Sequence, residues 1–291
     1  GNDNAVGAPI VKGMVDDALR SMGRAPLSRH AEAYEVKQAC LAGMYALKSA
    51  LRWAILDGAG AKAIVVSADI AEYERGSTGE PTQGAGAVAM LVERDPKLLE
   101  VDLSSSGSAS DYRGVDFRKP MRRYLVDGYA AQTERTHDFP VFSGQYSTIC
   151  YLDQTLWATQ HLMAKAGCSV TTLFERSAAI FMHRPYHRMP QTALAGIYLW
   201  SLGLSEDAEE RECFRVFCEE ADVLPEAVLG ELRSDIPLWK QAQEAETVRE
   251  LYPLTMKVSK AFRKTSVFEE EILPKLSTGA RTMMTFGNLY S

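Results

Sequence analysis

No stretch of this sequence approaches the roughly 20 consecutive apolar residues that a bilayer-spanning helix needs. Positive charge is not in excess either: 32 Lys and Arg stand against 38 Asp and Glu, for a net charge of −6. Nucleic-acid binding through a general positive field is therefore not expected, nor is a membrane location. Cysteine and histidine are scarce, five of each, and no C-x-x-C or H-E-x-x-H spacing occurs. No zinc site, metal or resident cofactor is expected from so sparse a donor set. An odd number of irregularly spaced cysteines suits reduced thiols and a cytoplasmic location.

What is present is ordinary globular sequence, 46% hydrophobic and 24% charged over 291 residues. That length supports two compact halves with a sizeable core, which excludes both disorder and a disulfide-stapled miniprotein. Apolar spacing predicts helices over 10–22, 41–56, 146–166, 192–202, 207–220 and 244–264, the last broken or kinked at Pro253. Strands are expected at 34–38, 63–70, 84–92, 99–103 and 178–182. The runs at 63–70 and 84–92 are continuously apolar, as in strands buried on both faces. Alternating strands and helices imply an α/β fold, with a helical addition near 190–280.

Cys40 is the most informative residue. It stands between a short expected strand and a long expected helix, flanked by the small residues Ala39, Ala42 and Gly43. A thiol at a helix N-terminus is favoured as thiolate by the helix dipole and by unspent amides. Cysteine is also a common small core residue, and position alone fits both roles. His183 closes the expected strand 178–182, and strand ends are where ligands collect in α/β sheets; a structural histidine fits the same place. Asn288 is a turn residue by default. Together the three side chains make a thiol nucleophile with imidazole and amide partners, although the C-G-[SA]-C-[WY] signature of thiol proteases is absent.

The glycine-rich loop 79–86 lacks the G-K-[ST] ending of a phosphate loop and leads into an expected strand, so close packing beside a pocket is its better reading. A basic cluster at Arg118, Lys119, Arg122 and Arg123, with Arg184 and Arg188, reads chiefly as solvated surface. Its functional reading is a dock for a phosphorylated carrier or an acidic partner. Cys213 and Cys218 read as structural.

Seven segments, in order along the chain, carry a resemblance. They are Ala39-Cys40-Leu41-Ala42-Gly43, residues 67–73 (S-A-D-I-A-E-Y), residues 79–89 (G-E-P-T-Q-G-A-G-A-V-A), residues 116–120 (D-F-R-K-P), residues 144–152 (G-Q-Y-S-T-I-C-Y-L), residues 181–186 (F-M-H-R-P-Y), and residues 287–291 (G-N-L-Y-S). In these the sequence resembles the hydroxymethylglutaryl-CoA synthase family of the thiolase superfamily, including its polyketide β-branching branch. The resemblance implies a thiolase-like α/β fold of two related halves with mixed sheets and buried helices. The N-terminal half would span 1–105 and carry the nucleophile. The C-terminal half, with the helical insertion, would span 106–291.

The chemistry it implies is a ping-pong condensation. Cys40 takes an acetyl group as a thioester, and the acetyl carbon then attacks the ketone of an acetoacetyl thioester. Hydrolysis releases a 3-hydroxy-3-methylglutaryl-type thioester. By the same resemblance His183 polarises the ketone, and Asn288, Thr82, Ser147, Asp116, Tyr186 and Arg188 line the substrate site. The substrates would be acetyl-CoA and acetoacetyl-CoA, or their acyl-carrier-protein counterparts, and the assembly a homodimer. The family's general acid/base is a glutamate in a loop just before the helix at 10–22. Gly1-Asn2-Asp3-Asn4 stands there instead, so an internal piece of a longer protein is expected, incomplete at both ends. Two other readings remain: a non-catalytic thiolase-fold protein that binds a carrier protein, and a condensing enzyme similar to ketoacyl synthase III.

Overall fold

The computed structural model describes residues 7–58, 60–73, 75–77, 79–113 and 143–287, with the side chains of 282 and 283 left aside. It divides into two compact units. Of the described residues, the first takes those within 7–71 and 84–101, the second those within 72–83 and 102–287.

In the first unit, helix α1 spans Gly7–Ser21 and α2 spans Ala42–Ile55, the latter entered through a 3-10 turn, Ala39–Leu41. Strands β1 (Ala63–Ala71) and β2 (Gly84–Val92) form an antiparallel pair in which Ala63 faces Val92 and Ala71 faces Gly84. One face of the pair takes α2: Ala50 and Ala54 bury against Val65 and Val92, with Leu47, Leu51 and Met90 around them. Small alanines on the inner stripe of α2 let helix and strands approach closely. Gly43 sets how the helix begins. A Cβ there would lie 2.5 Å from the Ser67 Oγ, so glycine lets the first turn of α2 rest on the middle of β1 without displacing that hydroxyl.

The two strands are not buried on both faces. The opposite face presents Ile64, Val66, Ile70 and Leu91 with 42–63% exposure. The apolar run correctly marks strand but does not require two covers, and in β1 burial alternates with the pleat. No strand forms at 34–38, 99–103 or 178–182. Leu98 and Leu99 are 95% and 80% exposed, so nothing there rewards extended pairing. Residues 178–182 pass instead through irregular backbone, tied by Ile180 N–H donating to the Lys275 carbonyl at 2.8 Å.

The second unit is helical. In order come α3 (Gly144–Ala166), α4 (Val170–Arg176), α5 (Arg188–Leu204), α6 (Ala208–Glu220), α7 (Pro225–Leu232), α8 (Leu238–Glu244), α9 (Pro253–Phe262) and α10 (Ser277–Phe286). A π-helical turn (Val267–Ile272) and a 3-10 turn (Leu273–Leu276) precede α10.

Capping residues place the helix boundaries. Ser143 and Ser169 cap α3 and α4, and Asp207 accepts from the Glu209 and Glu210 amides at the start of α6. Gly167, at φ +61°, ends α3. Pro253 does not kink a long helix; it opens α9. The Glu231 carboxylate crosses over to accept from the Leu254 and Thr255 amides (2.9 and 2.8 Å) and the Thr255 hydroxyl (2.6 Å). Helix α5 is apolar on nearly every side and forms the centre of the core, with Leu199 and Trp200 fully buried among Leu152, Leu156, Phe214, Val258 and Phe262. Among the described residues no helix is long and apolar enough to cross a membrane.

Candidate active site

Cys40 lies in the 3-10 turn that leads into α2. Its thiol is half-buried and outside any disulfide. Ala39, immediately before it, is held at φ +44°, in the left-handed region that an alanine avoids. The Leu41 amide donates to the Gln38 carbonyl at 3.0 Å, and the Ala42 amide to the Ala39 carbonyl. These bonds keep the turn closed against that strain. The outcome is a sulfur lifted on a tight corner at the start of a 14-residue helix seated on β1 through Gly43. Strained corners of this kind recur where a nucleophile must stand clear of the backbone. Two other thiols are more enclosed. Cys150 and Cys218 are buried, and burial pushes the Cys218 thiol up to about 12.

The second unit gathers His183, Tyr186 and Ser147 around the N-terminal turns of α3. His183 does not end a strand; it lies in the irregular segment before α5. The Tyr151 hydroxyl donates to the His183 carbonyl at 2.8 Å, and the two rings lie 6.4 Å apart. Burial pulls the His183 imidazole down to about 4, so at neutral pH it is uncharged, one ring nitrogen donating and the other accepting. Burial also pushes the Tyr151 hydroxyl well above the usual tyrosine range, with the Arg184 charge opposing, so it serves as a neutral donor.

The Tyr186 hydroxyl lies 3.4 Å from that of Thr148. Ser147, one turn before Tyr151 on α3, accepts from Arg113 Nη2 at 3.1 Å. Arg188 is the first residue of α5 and is exposed. Thr82 sits in a separate 3-10 turn, Glu80–Thr82, where its hydroxyl donates to the Gly79 carbonyl at 2.7 Å. Asp116, Asn288 and the basic cluster at 118–123 lie outside the described residues.

Two features have no clear signal in the sequence. Arg184 does not lie on the solvated face expected from its place in the basic set: it is buried, only 8% exposed. Its Nη1 lies 3.3 Å from His187 Nδ1 and its Nη2 donates to the Leu276 carbonyl at 3.1 Å. Because a guanidinium only donates, His187 Nδ1 accepts and its proton sits on Nε2. The Gln191 amide, 3.2 Å from that Nε2, must then present its oxygen there. Tyr151 is the second feature, legible only as a residue four after Ser147. His183 and His187 also stand four apart, but Pro185 and the loop keep them off a common helix face. Among the described residues no group of three metal-ligating side chains forms.

Residues 15–97 match the family model of the hydroxymethylglutaryl-coenzyme A synthase N-terminal domain. The hydroxymethylglutaryl-CoA synthase of Haloferax volcanii is 36% identical over 167 residues, 57% of this chain and 33% of that protein. The polyketide biosynthesis 3-hydroxy-3-methylglutaryl-ACP synthase PksG of Bacillus subtilis is 35% identical over 106 residues, 33% of this chain and 25% of that protein. The chain thus spans a third or less of the length of these two relatives. Among solved structures, MvaS in complex with 3-hydroxy-3-methylglutaryl coenzyme A superposes with a TM-score of 0.56 at 22% identity, covering 99% of this chain and 72% of that one. That likeness establishes a thiolase-like fold, here in helix-rich α/β form. The turn of Cys40, the seat at Gly43 and both strands lie inside the matched segment, so residues 15–97 are similar to the N-terminal domain of the hydroxymethylglutaryl-CoA synthases.

Proposed function

We propose that the protein of which these residues form part condenses an acetyl thioester with an acetoacetyl thioester, through acetyl-Cys40, to a 3-hydroxy-3-methylglutaryl thioester. The observation that carries this reading is the placement of Cys40 on a strained corner at the N-terminus of α2, within the segment that matches the family's N-terminal domain. The helix dipole favours the thiolate, which attacks the donor's carbonyl carbon. The new carbon–sulfur bond expels the donor thiol. A base then removes a proton from the acetyl methyl, whose acidity the thioester preserves. The resulting carbanion equivalent attacks the ketone carbon of the acceptor, and the ketone oxygen takes up a proton. Water finally cleaves the Cys40 thioester, leaving a carboxylate on the product and the thiol on the enzyme.

His183 suits the ketone because it is neutral: its N–H supplies a hydrogen bond to oxygen as negative charge develops there. Tyr186, Ser147, Thr82, Asp116 and Asn288 are assigned to substrate contact by the resemblance. Arg188, exposed at the start of α5, meets a phosphate of the acyl carrier. The reading places a homodimer in the cytoplasm, with its thiols reduced, as the five cysteines outside disulfides suggest.

The test is product formation by the full-length protein, with acetyl-CoA as donor and acetoacetyl-CoA or an acetoacetyl carrier protein as alternative acceptors. Hydroxymethylglutaryl thioester in either arm, abolished by Cys40→Ser, is expected, and the productive arm names the carrier. No product in either arm rejects the reading. Decarboxylative condensation with a malonyl thioester would favour the ketoacyl synthase alternative.

A further inference from the structure

We propose that Arg184 is a positioning residue for the condensation step, locking the loop that bears His183 onto the 3-10 turn Leu273–Leu276 and onto the N-cap of α5. The inference rests on the function proposed above, and it starts from an anomaly of charge. The Arg184 side chain is buried, yet among the described residues no carboxylate pairs with it, and its Nε has no hydrogen-bond partner. Buried charges are normally paired, and an apolar side chain of like volume serves stability as well or better. What the guanidinium adds is direction: two contacts, to the Leu276 carbonyl and to His187 Nδ1.

Those bonds secure a stretch that has no other regular support. Residues 177–187 form neither helix nor strand. Their first half is stitched to the same 3-10 turn by Ile180 N–H to Lys275 O (2.8 Å) and by Lys275 Nζ to Ser177 O (2.9 Å). The middle is fixed by Tyr151 at the His183 carbonyl. Arg184 ties the second half, between His183 and α5, and reaches the helix through its N-cap residue, His187. With Arg184 gone, the backbone that carries His183 keeps a hold on one side only. Positioning losses of this kind lower the rate of the step that uses the positioned group. Cys40 takes its acetyl group on another element altogether, so the two half-reactions report separately.

The experiment compares wild type, Arg184→Met and Arg184→Lys in the full-length protein, each checked for folding. Two rates are measured: acetylation of Cys40 from acetyl-CoA, and single-turnover condensation of the acetyl-enzyme with an acetoacetyl thioester. Acetylation is expected to stay within about two-fold in both variants. Condensation is expected to fall by about 10- to 100-fold in Arg184→Met and by less in Arg184→Lys, which keeps a donor but not the two-pronged geometry. Wild-type condensation in folded Arg184→Met overturns the proposal, as does a parallel fall of both half-reactions, the mark of a merely structural role. If Arg184→Met does not fold, Arg184→Lys decides: condensation falls selectively or the claim fails. If wild type itself leaves Cys40 unacetylated, the proposed function falls, and positioning is judged on the His183 imidazole resonances. An altered shift in the variants then supports it, and an unchanged one overturns it.

Discussion

Replacing His183 by glutamine should flatten part of the protein's stability profile between pH 7 and pH 5. An imidazole in the unfolded chain titrates near 6.5, whereas burial pulls His183 in the folded protein down to about 4. Below 6.5 the unfolded state therefore binds a proton that the folded state refuses. Stability is lost as pH falls through this window, and the loss saturates below about 4, where both states are protonated. Between pH 7 and pH 5 the difference amounts to about 2 kcal/mol. Asp153 works in the opposite sense. Burial raises its carboxyl even though Tyr252, Gln154 and Trp157 all donate to it, so it strengthens the fold as pH falls. The comparison must accordingly be between wild type and His183→Gln, in which the Asp153 contribution cancels. Urea unfolding at the two pH values gives the difference, and the imidazole proton shifts of His183 give its titration directly. An imidazole that titrates near 6.5, or a variant whose pH dependence matches wild type, refutes the burial argument and with it the neutral hydrogen-bond donor assigned to the ketone.

The remaining expectations concern the frame of the site. Gly43→Ala brings a Cβ within 2.5 Å of the Ser67 Oγ, so it should destabilise the first unit by about 1 kcal/mol, and Ser67→Ala in the same chain should recover most of that loss in thermal unfolding; absence of recovery would mean that the helix is not seated on β1 at this point. Glu231→Ala removes three hydrogen bonds from the start of α9 and should lower stability by about 2 kcal/mol by urea unfolding, with Glu231→Gln intermediate; an unchanged midpoint would discard the cap.

Local chemistry made much of the helical frame readable in advance. Asp207 marks the start of α6 because its short carboxylate reaches two unspent amides. The helix expected over 244–264 does not form across Pro253: α8 ends at Glu244 and α9 opens at Pro253, because proline does not fit inside a helix. The strands were legible only in part. Residues 63–71 and 84–92 are apolar enough to announce themselves, but an apolar run does not state how many covers it has, and Ile64 and Ile70 stand 55% and 63% exposed. Residues 178–182 show the converse: five apolar or small residues of strand-like composition whose backbone bonds go to a turn 95 residues away. Cys40, His183, Ser147 and Tyr186 are assigned to the candidate site from their segments alone. The corner that presents Cys40 could not be read there, because nothing about an alanine announces a left-handed backbone. Nor could Arg184, since arginine's default is the surface and its burial depends on a carbonyl at Leu276, 92 positions on. Non-local partners of this kind leave no trace in periodicity or propensity.

Whether the Cys40 sulfur carries the acyl group is read by peptide mapping after a brief incubation of the full-length protein with acetyl-CoA and an acid quench. An acetyl adduct of about 42 Da is expected on the peptide containing Cys40, roughly one per chain, lost with hydroxylamine and absent in Cys40→Ser. An unmodified Cys40 peptide, or an adduct that persists when Cys40 is serine, contradicts the acetyl-Cys40 intermediate.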